Sequence, residues 1–137
     1  MEQQVMEVTA FDHIVFNVSD VERSAAWYAS VLGMERHDSR AEDGSTRTSM
    51  TFGINKINLR PLSASQEEWF TAHTPAAGSA DLCFLTDIPP GAVADHFRVL
   101  GVAIEQGPVT RNGARGPIRS AYVRDPDGSL IEVASYE

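Results

Sequence analysis

Four residues carry most of the chemistry this sequence makes available: His13, Arg60, Asp81 and Glu132. Each is a lone polar residue on one face of a short apolar segment, because strand side chains alternate between faces. In residues 12–18, DHIVFNV, one face is Ile14, Phe16 and Val18, and the other is His13, Val15 and Asn17. Leu82 and Phe84 oppose Asp81, Cys83 and Leu85. Ile131 and Val133 oppose Leu130, Glu132 and Ala134. Ile57 and Leu59 oppose Asn58 and Arg60. A neutral imidazole and two carboxylates supply one nitrogen and two oxygens, a donor set that suits a divalent cation and leaves positions open for water or substrate. On this reading His13, Asp81 and Glu132 are candidate metal ligands. Arginine stays protonated in any protein setting, so Arg60 is not a ligand.

The elements that must position these residues form a repeat. The strand at 12–18 is followed by Ser19-Asp20, a helix-start signal, and by VERSAAWYASVLG with helical apolar spacing and a stop at Gly33. The strand ADLCFLT at 80–86 is followed by DIPPGAVADHFRVLG, opened by prolines and closed at Gly101. One offset relates His13 to Asp81 and Leu32-Gly33 to Leu100-Gly101, which marks a structural repeat. After each glycine the pattern predicts three strands: 34–40, 46–53 and 56–62, then 102–106, 118–124 and 129–135. Asp125-Pro126-Asp127-Gly128 turns the last pair. The expected fold class is α+β, two tandem βαβββ modules. A flexible tail is expected at 1–8, module one at 9–63, a polar linker with one helical turn at 64–79, and module two at 80–137. If the modules pair about a pseudo-twofold axis, the four polar corners converge on one cavity.

The bulk composition narrows the partners. A chain of 137 residues with 42% hydrophobic content is one soluble domain by size, with small-molecule or protein partners. A net charge of −8 argues against nucleic acid and anionic membrane surfaces. No apolar run reaches the ~18 residues of a membrane span, and the amino terminus lacks the charged and apolar regions of a signal peptide. The lone Cys83 precludes an internal disulfide and points to a reducing, cytoplasmic setting. No Gly-rich phosphate loop follows a strand, and no nucleophile elbow is present.

The stretches FDHIVFNVSDVERSAAWYASVLGME and YVRDPDGSLIEV resemble the vicinal oxygen chelate superfamily, which holds glyoxalase I, bleomycin- and fosfomycin-resistance proteins and extradiol dioxygenases. KINLR and the run from 104 to 133 look like its glyoxalase-domain-containing, virulence-protein-like group. The resemblance covers about residues 10–136. It implies a curved mixed sheet around a cavity, one divalent metal ion (iron, manganese, nickel or zinc), and a homodimer. It also implies ligand positions at His13, Arg60, Asp81 and Glu132, with Glu132 doubling as catalytic base. The implied function is a metal-dependent dioxygenase, lyase or isomerase acting on a small vicinal-oxygen substrate. The alternative is a metal-free binding or antibiotic-sequestering protein.

Arg60 departs from the pattern, since close relatives carry histidine there. Three readings stand. Arg60 binds an anionic substrate beside a metal on the other three residues, with Asn58 on the same face. Or Asp81 and Glu132 surround its guanidinium in place of a metal. Or it snorkels to solvent at the rim. The Gly-, Arg- and Pro-rich stretch 107–120 is expected to be a connection at the pocket mouth, with Arg111 or Arg115 meeting an anionic substrate. Trp27 and Tyr28 read as core packing, and His37, His73 and His96 as solvated.

Overall fold

The computed structural model describes residues 3–136. The elements run β1 (His13–Val18), α1 (Val21–Leu32), β2 (Glu35–Arg40), β3 (Thr46–Phe52), β4 (Asn55–Pro61), β5 (Asp81–Leu85), α2 (Pro90–Val99), β6 (Gln106–Gly113), β7 (Gly116–Arg124) and β8 (Leu130–Tyr136). Each half is therefore βαβββ, an α+β pair of modules. The strands divide into two mixed sheets of four, ordered β1-β4-β3-β2 and β5-β8-β7-β6. In each sheet the first strand pairs in parallel with the last, and the remaining pairs are antiparallel. Within one chain the two sheets do not join into the single curved sheet implied by the resemblance.

Local chemistry accounts for the helices. Asp20 caps α1 by accepting the Arg23 N–H at 3.0 Å, and Gly33 ends it at φ +69°, a backbone conformation that suits glycine. Prolines open α2. Each helix lies on its own sheet. Ala25 and Tyr28 of α1 join Phe16, Val18, Met50, Ile57 and Leu59 in one core cluster. Val93 and Phe97 of α2 join Ala121, Val123, Ile131 and Val133 in a second, to which Val31 of α1 also belongs. Burying such side chains is worth roughly 1.5–3 kcal/mol each. Ile14, on the same face as the buried Phe16 and Val18, is 41% exposed near the start of β1.

The modules are joined by more than the linker. Trp27, Leu32, Leu82 and Phe84 pack against both core clusters, and Phe84 meets Phe52 edge to face with ring centroids 5.2 Å apart. Tyr28 is fully buried, and its hydroxyl donates to Asp125 Oδ2 at 2.7 Å. Asp125 Oδ1 accepts the N–H groups of Asp127 and Ser129, tightening the Asp125–Gly128 turn. Asp127 in turn takes the Ser19 hydroxyl and the Arg23 guanidinium at the start of α1. His96, expected to be solvated, instead places Nε2 2.6 Å from the Val31 carbonyl oxygen at the end of α1.

The stretch 107–120 is not an irregular connection. It forms the β6–β7 hairpin, closed by the Gly113–Gly116 pair around Ala114-Arg115. The glycines flank the two loop residues, and Gly116 takes up a positive φ of +132° on the returning strand. A side chain at Gly113 would begin 2.5 Å from the Tyr136 hydroxyl, which would have to shift to admit it. Strand β6 accordingly begins where the expected strand 102–106 was to end. Residues 3–12 form no helix or strand and are exposed; the first two residues of the expected tail lie outside the described residues. Among the described residues no helix is long and apolar enough to cross a membrane.

Candidate functional site

Strand register decides which polar residues are equivalent. In module one His13 lies opposite Lys56, Val15 opposite Asn58 and Asn17 opposite Arg60. In module two Asp81 lies opposite Leu130, Cys83 opposite Glu132 and Leu85 opposite Ala134. The counterpart of Glu132 is therefore Asn58, and the counterpart of Arg60 is Ala134. On β1, β4 and β8 the alternation of faces separated the buried Phe16, Val18, Ile57, Leu59, Ile131 and Val133 from the polar positions. It did not predict the register, and Arg60 sits one side-chain repeat beyond the corner expected for it.

Arg60 is 1% exposed, and its guanidinium is enclosed by neutral acceptors. Nε donates to the Trp69 carbonyl at 3.0 Å. Nη1 donates to Asn17 Oδ1 at 2.6 Å and to the Pro61 carbonyl at 3.3 Å. Nη2 donates to the carbonyls of Ala64 at 2.6 Å and Ser65 at 3.3 Å. The segment after β4 thus wraps around this side chain, and the rigid five-donor fork satisfies carbonyls that would otherwise be left unpaired. This corrects two of the readings of Arg60: Asp81 and Glu132 are not its partners within the chain, and it does not reach solvent. Trp69 supplies one of those carbonyls, and its ring centroid lies 4.3 Å from the Arg47 guanidinium carbon.

The open face of module two holds the richest polar group. Glu132 is half-buried, and the Ser120 hydroxyl donates to its Oε2 at 2.5 Å. Cys83 lies beside it. Cys83 is exposed, yet partial desolvation by its neighbours, then the negative charge of Glu132, push its thiol up to about 11. Burial also raises the Tyr122 phenol, with Glu132 adding to the rise and Arg111 opposing it. These residues border a cavity of about 380 Å³ reaching Arg111, Asn112 and Tyr136. Ser120, Tyr122 and Tyr136 were not singled out from the sequence. The alternation of β7 and β8 around Glu132 was their only signal.

His13 borders a second, more apolar cleft of about 360 Å³, with Phe52, Leu82, Cys83 and Phe84. Its Nδ1 is 2.8 Å from Asp12 Oδ2. With Nδ1 donating to that carboxylate, Nε2 presents its lone pair, the orientation metal-binding histidines adopt. Asp81 is exposed at the start of β5, and Asn58 is half-buried on the module-one face. The donor types suit a divalent cation, but their placement in one chain does not. Among the described residues no three His, Cys, Asp or Glu side chains come close enough to hold one.

Paired βαβββ modules with polar residues on uncovered sheet faces define a class, and comparison with known proteins agrees. Residues 10–133 match the model of the Glyoxalase/Bleomycin resistance protein/Dioxygenase superfamily, and the chain belongs to that superfamily. It is 40% identical over 131 residues to Virulence protein STM3117 of Salmonella typhimurium, covering 96% of this chain and 87% of that one. It is 38% identical over 136 residues to the Glyoxalase domain-containing protein RDO1 of Mycosarcoma maydis, covering 99% and 73%. Among solved structures, the integron cassette protein VCH_CASS1 of V. cholerae superposes with a TM-score of 0.87 at 41% identity, covering 98% of this chain and all of that one.

Proposed function

We propose that the protein is a divalent-metal-dependent enzyme, a dioxygenase, lyase or isomerase, acting on a small vicinal-oxygen substrate with Glu132 as its reacting carboxylate. The observation that carries this reading is the setting of Glu132: an open sheet face, a serine hydroxyl holding one carboxylate oxygen, and a phenol and a thiol at its sides. Ser120 fixes one oxygen, which leaves the other to take a proton from a bound substrate and return it. Because no three donors gather among the described residues of one chain, the metal on this reading belongs between copies. On this reading His13 of one copy meets Asp81 and Glu132 of another in a homodimer.

The test is metal content and its genetics. Protein purified without chelator is expected to hold about one iron, manganese, nickel or zinc ion per chain, and His13→Ala to lose it. Glu132→Gln is expected to abolish turnover of catechols or of the glutathione–methylglyoxal adduct. Mixing the two inactive variants is expected to restore part of the activity through hybrid dimers. Failure of wild-type protein to bind any of these metals overturns the proposal.

A second reading is a metal-free small-molecule binding protein in the same cytoplasmic setting. The dispersal of the donors within one chain favours it. Saturable ligand binding with neither metal nor turnover is its expected outcome.

A further inference from the structure

We propose that the β6–β7 hairpin carries an oxyanion-binding rim, in which Arg111 and Arg115 hold the anionic end of a small ligand whose uncharged body lies toward Glu132. The inference rests on the reading of this face as the substrate face, and it names the class of substrate: a small molecule ending in a carboxylate or phosphonate.

The first argument is charge placement. Four arginines of this chain of net charge −8 have a carboxylate to face. Arg23 faces Asp127, Arg36 faces Glu22 and Asp38, Arg98 faces Asp95, and Arg124 faces Glu105. Arg111 has neutral acceptors only: the Tyr122 hydroxyl at 3.2 Å, the Thr110 carbonyl at 3.0 Å and Gln106 Oε1 at 3.0 Å. Arg115 lies over the Tyr136 ring with its guanidinium carbon 4.5 Å from the centroid, and no carboxylate among the described residues pairs with it.

The second argument is pre-organisation. Arg111 stands 5.5 Å from the Tyr122 centroid, so both guanidinium groups are braced by rings on neighbouring strands. Stacking of this kind restrains a guanidinium without neutralising it, leaving donors for a planar oxyanion. The Arg115 backbone N–H, donating to the Tyr136 hydroxyl at 3.0 Å, fixes the turn that carries it. The third argument is polarity across the cavity. Arg111 lines the cavity on β6, Arg115 flanks it over the lining Tyr136 ring, and Glu132 lines it two strands away on β8 of the same sheet. A ligand charged at both ends would be repelled at Glu132; one charged at a single end fits in one orientation. A cavity of about 380 Å³ suits a ligand the size of a substituted aromatic or short-chain acid.

The experiment is an NMR-monitored titration of the full chain in EDTA with benzoate, phenylphosphonate and the uncharged isostere benzamide. Benzoate or phenylphosphonate is expected to saturate, shifting the backbone amides of the β6–β7 hairpin, with a dissociation constant at least tenfold below that of benzamide. The better anion identifies the terminal group. Arg111→Gln with Arg115→Gln is expected to weaken the anions at least tenfold and leave benzamide unchanged, while the spectrum reports the fold. Glu132→Gln is expected to tighten anion binding by removing a like charge. Equal binding of charged and uncharged probes, or anion binding that survives the double substitution, overturns the proposal. Because chelator is present, the metal reading can fail while the rim stands. Metal binding and turnover that persist without anion selectivity would remove the rim alone.

Discussion

Arg60 shows how little a residue's type says about its use. On its strand it had the pattern of a site residue: one polar side chain on the non-core face. Its burial and its five neutral partners make it the anchor of the segment after β4. Removing one partner of a buried hydrogen bond costs about 1–3 kcal/mol for each group left unsatisfied. Arg60→Ala is therefore expected to destabilise the fold by on the order of 3–5 kcal/mol, with water re-solvating part of the segment. Arg60→His is expected to do much the same and to gain no metal affinity. Urea unfolding and metal titration check both, and a loss under about 1 kcal/mol would show that the segment is held by something else. The sequence fell short here because those partners are mostly backbone carbonyls, and backbone carbonyls leave no signature in residue types.

Cys83 is open to the same scrutiny. Its thiol is pushed up to about 11 by partial desolvation and then by Glu132. A raised thiol stays neutral until the pH approaches that value, so at pH 8 only about one in a thousand is thiolate. Alkylation by iodoacetamide is expected to be slow at pH 8 and to rise about tenfold per pH unit up to pH 10. Glu132→Gln is expected to move that rise to lower pH. An ordinary cysteine rate at pH 8 would contradict the described setting.

Among the elements, the Asp125–Gly128 turn was legible as a turn, and its partner was not. Asp-Pro-Asp-Gly announces the chain reversal by its own chemistry. What it does beyond that depends on Tyr28 and Ser19, about a hundred residues earlier, and no local pattern reports contacts at such separation. Tyr28 was read as core packing, which it is, but it is also the donor that ties α1 to the second module. Tyr28→Phe keeps the ring and deletes the donor to a buried carboxylate. It is expected to cost about 1.5–3 kcal/mol, as hydrogen bonds to charged groups do. Ser19→Ala, at the exposed end of the same junction, is expected to cost less than 1 kcal/mol. Comparable losses in the two variants would mean that the buried bond is not the stronger tie. The β6–β7 hairpin was misread for the opposite reason: its turn residues were visible, but glycine, proline and arginine were taken to mark a long connection instead of a tight turn between two strands.

For the molecule as a whole, the repeat was the most informative signal. Strand, helix and glycine stop recur at one offset, and each recurrence became a βαβββ module with its own sheet. The relation between the modules was not legible. It rests on Phe52 against Phe84, on Tyr28 and Asp125, and on His96 at the end of α1, none of which follows from the repeat. A pseudo-twofold convergence of four polar corners assumed that one chain closes one cavity. The chain instead presents two uncovered faces, with His13 bordering one cleft and Glu132 another.

The position of Arg60 also bears on how such a family diversifies. A histidine there would be free to coordinate only if the following segment were held by other means. Passing from one arrangement to the other by a single substitution would cross a poorly folded intermediate. The segment after β4 would have to acquire a new hold before Arg60 is lost, or lose its need for one. The order of substitutions, more than the demand for a metal, then decides whether a histidine can arise at this position without loss of the fold.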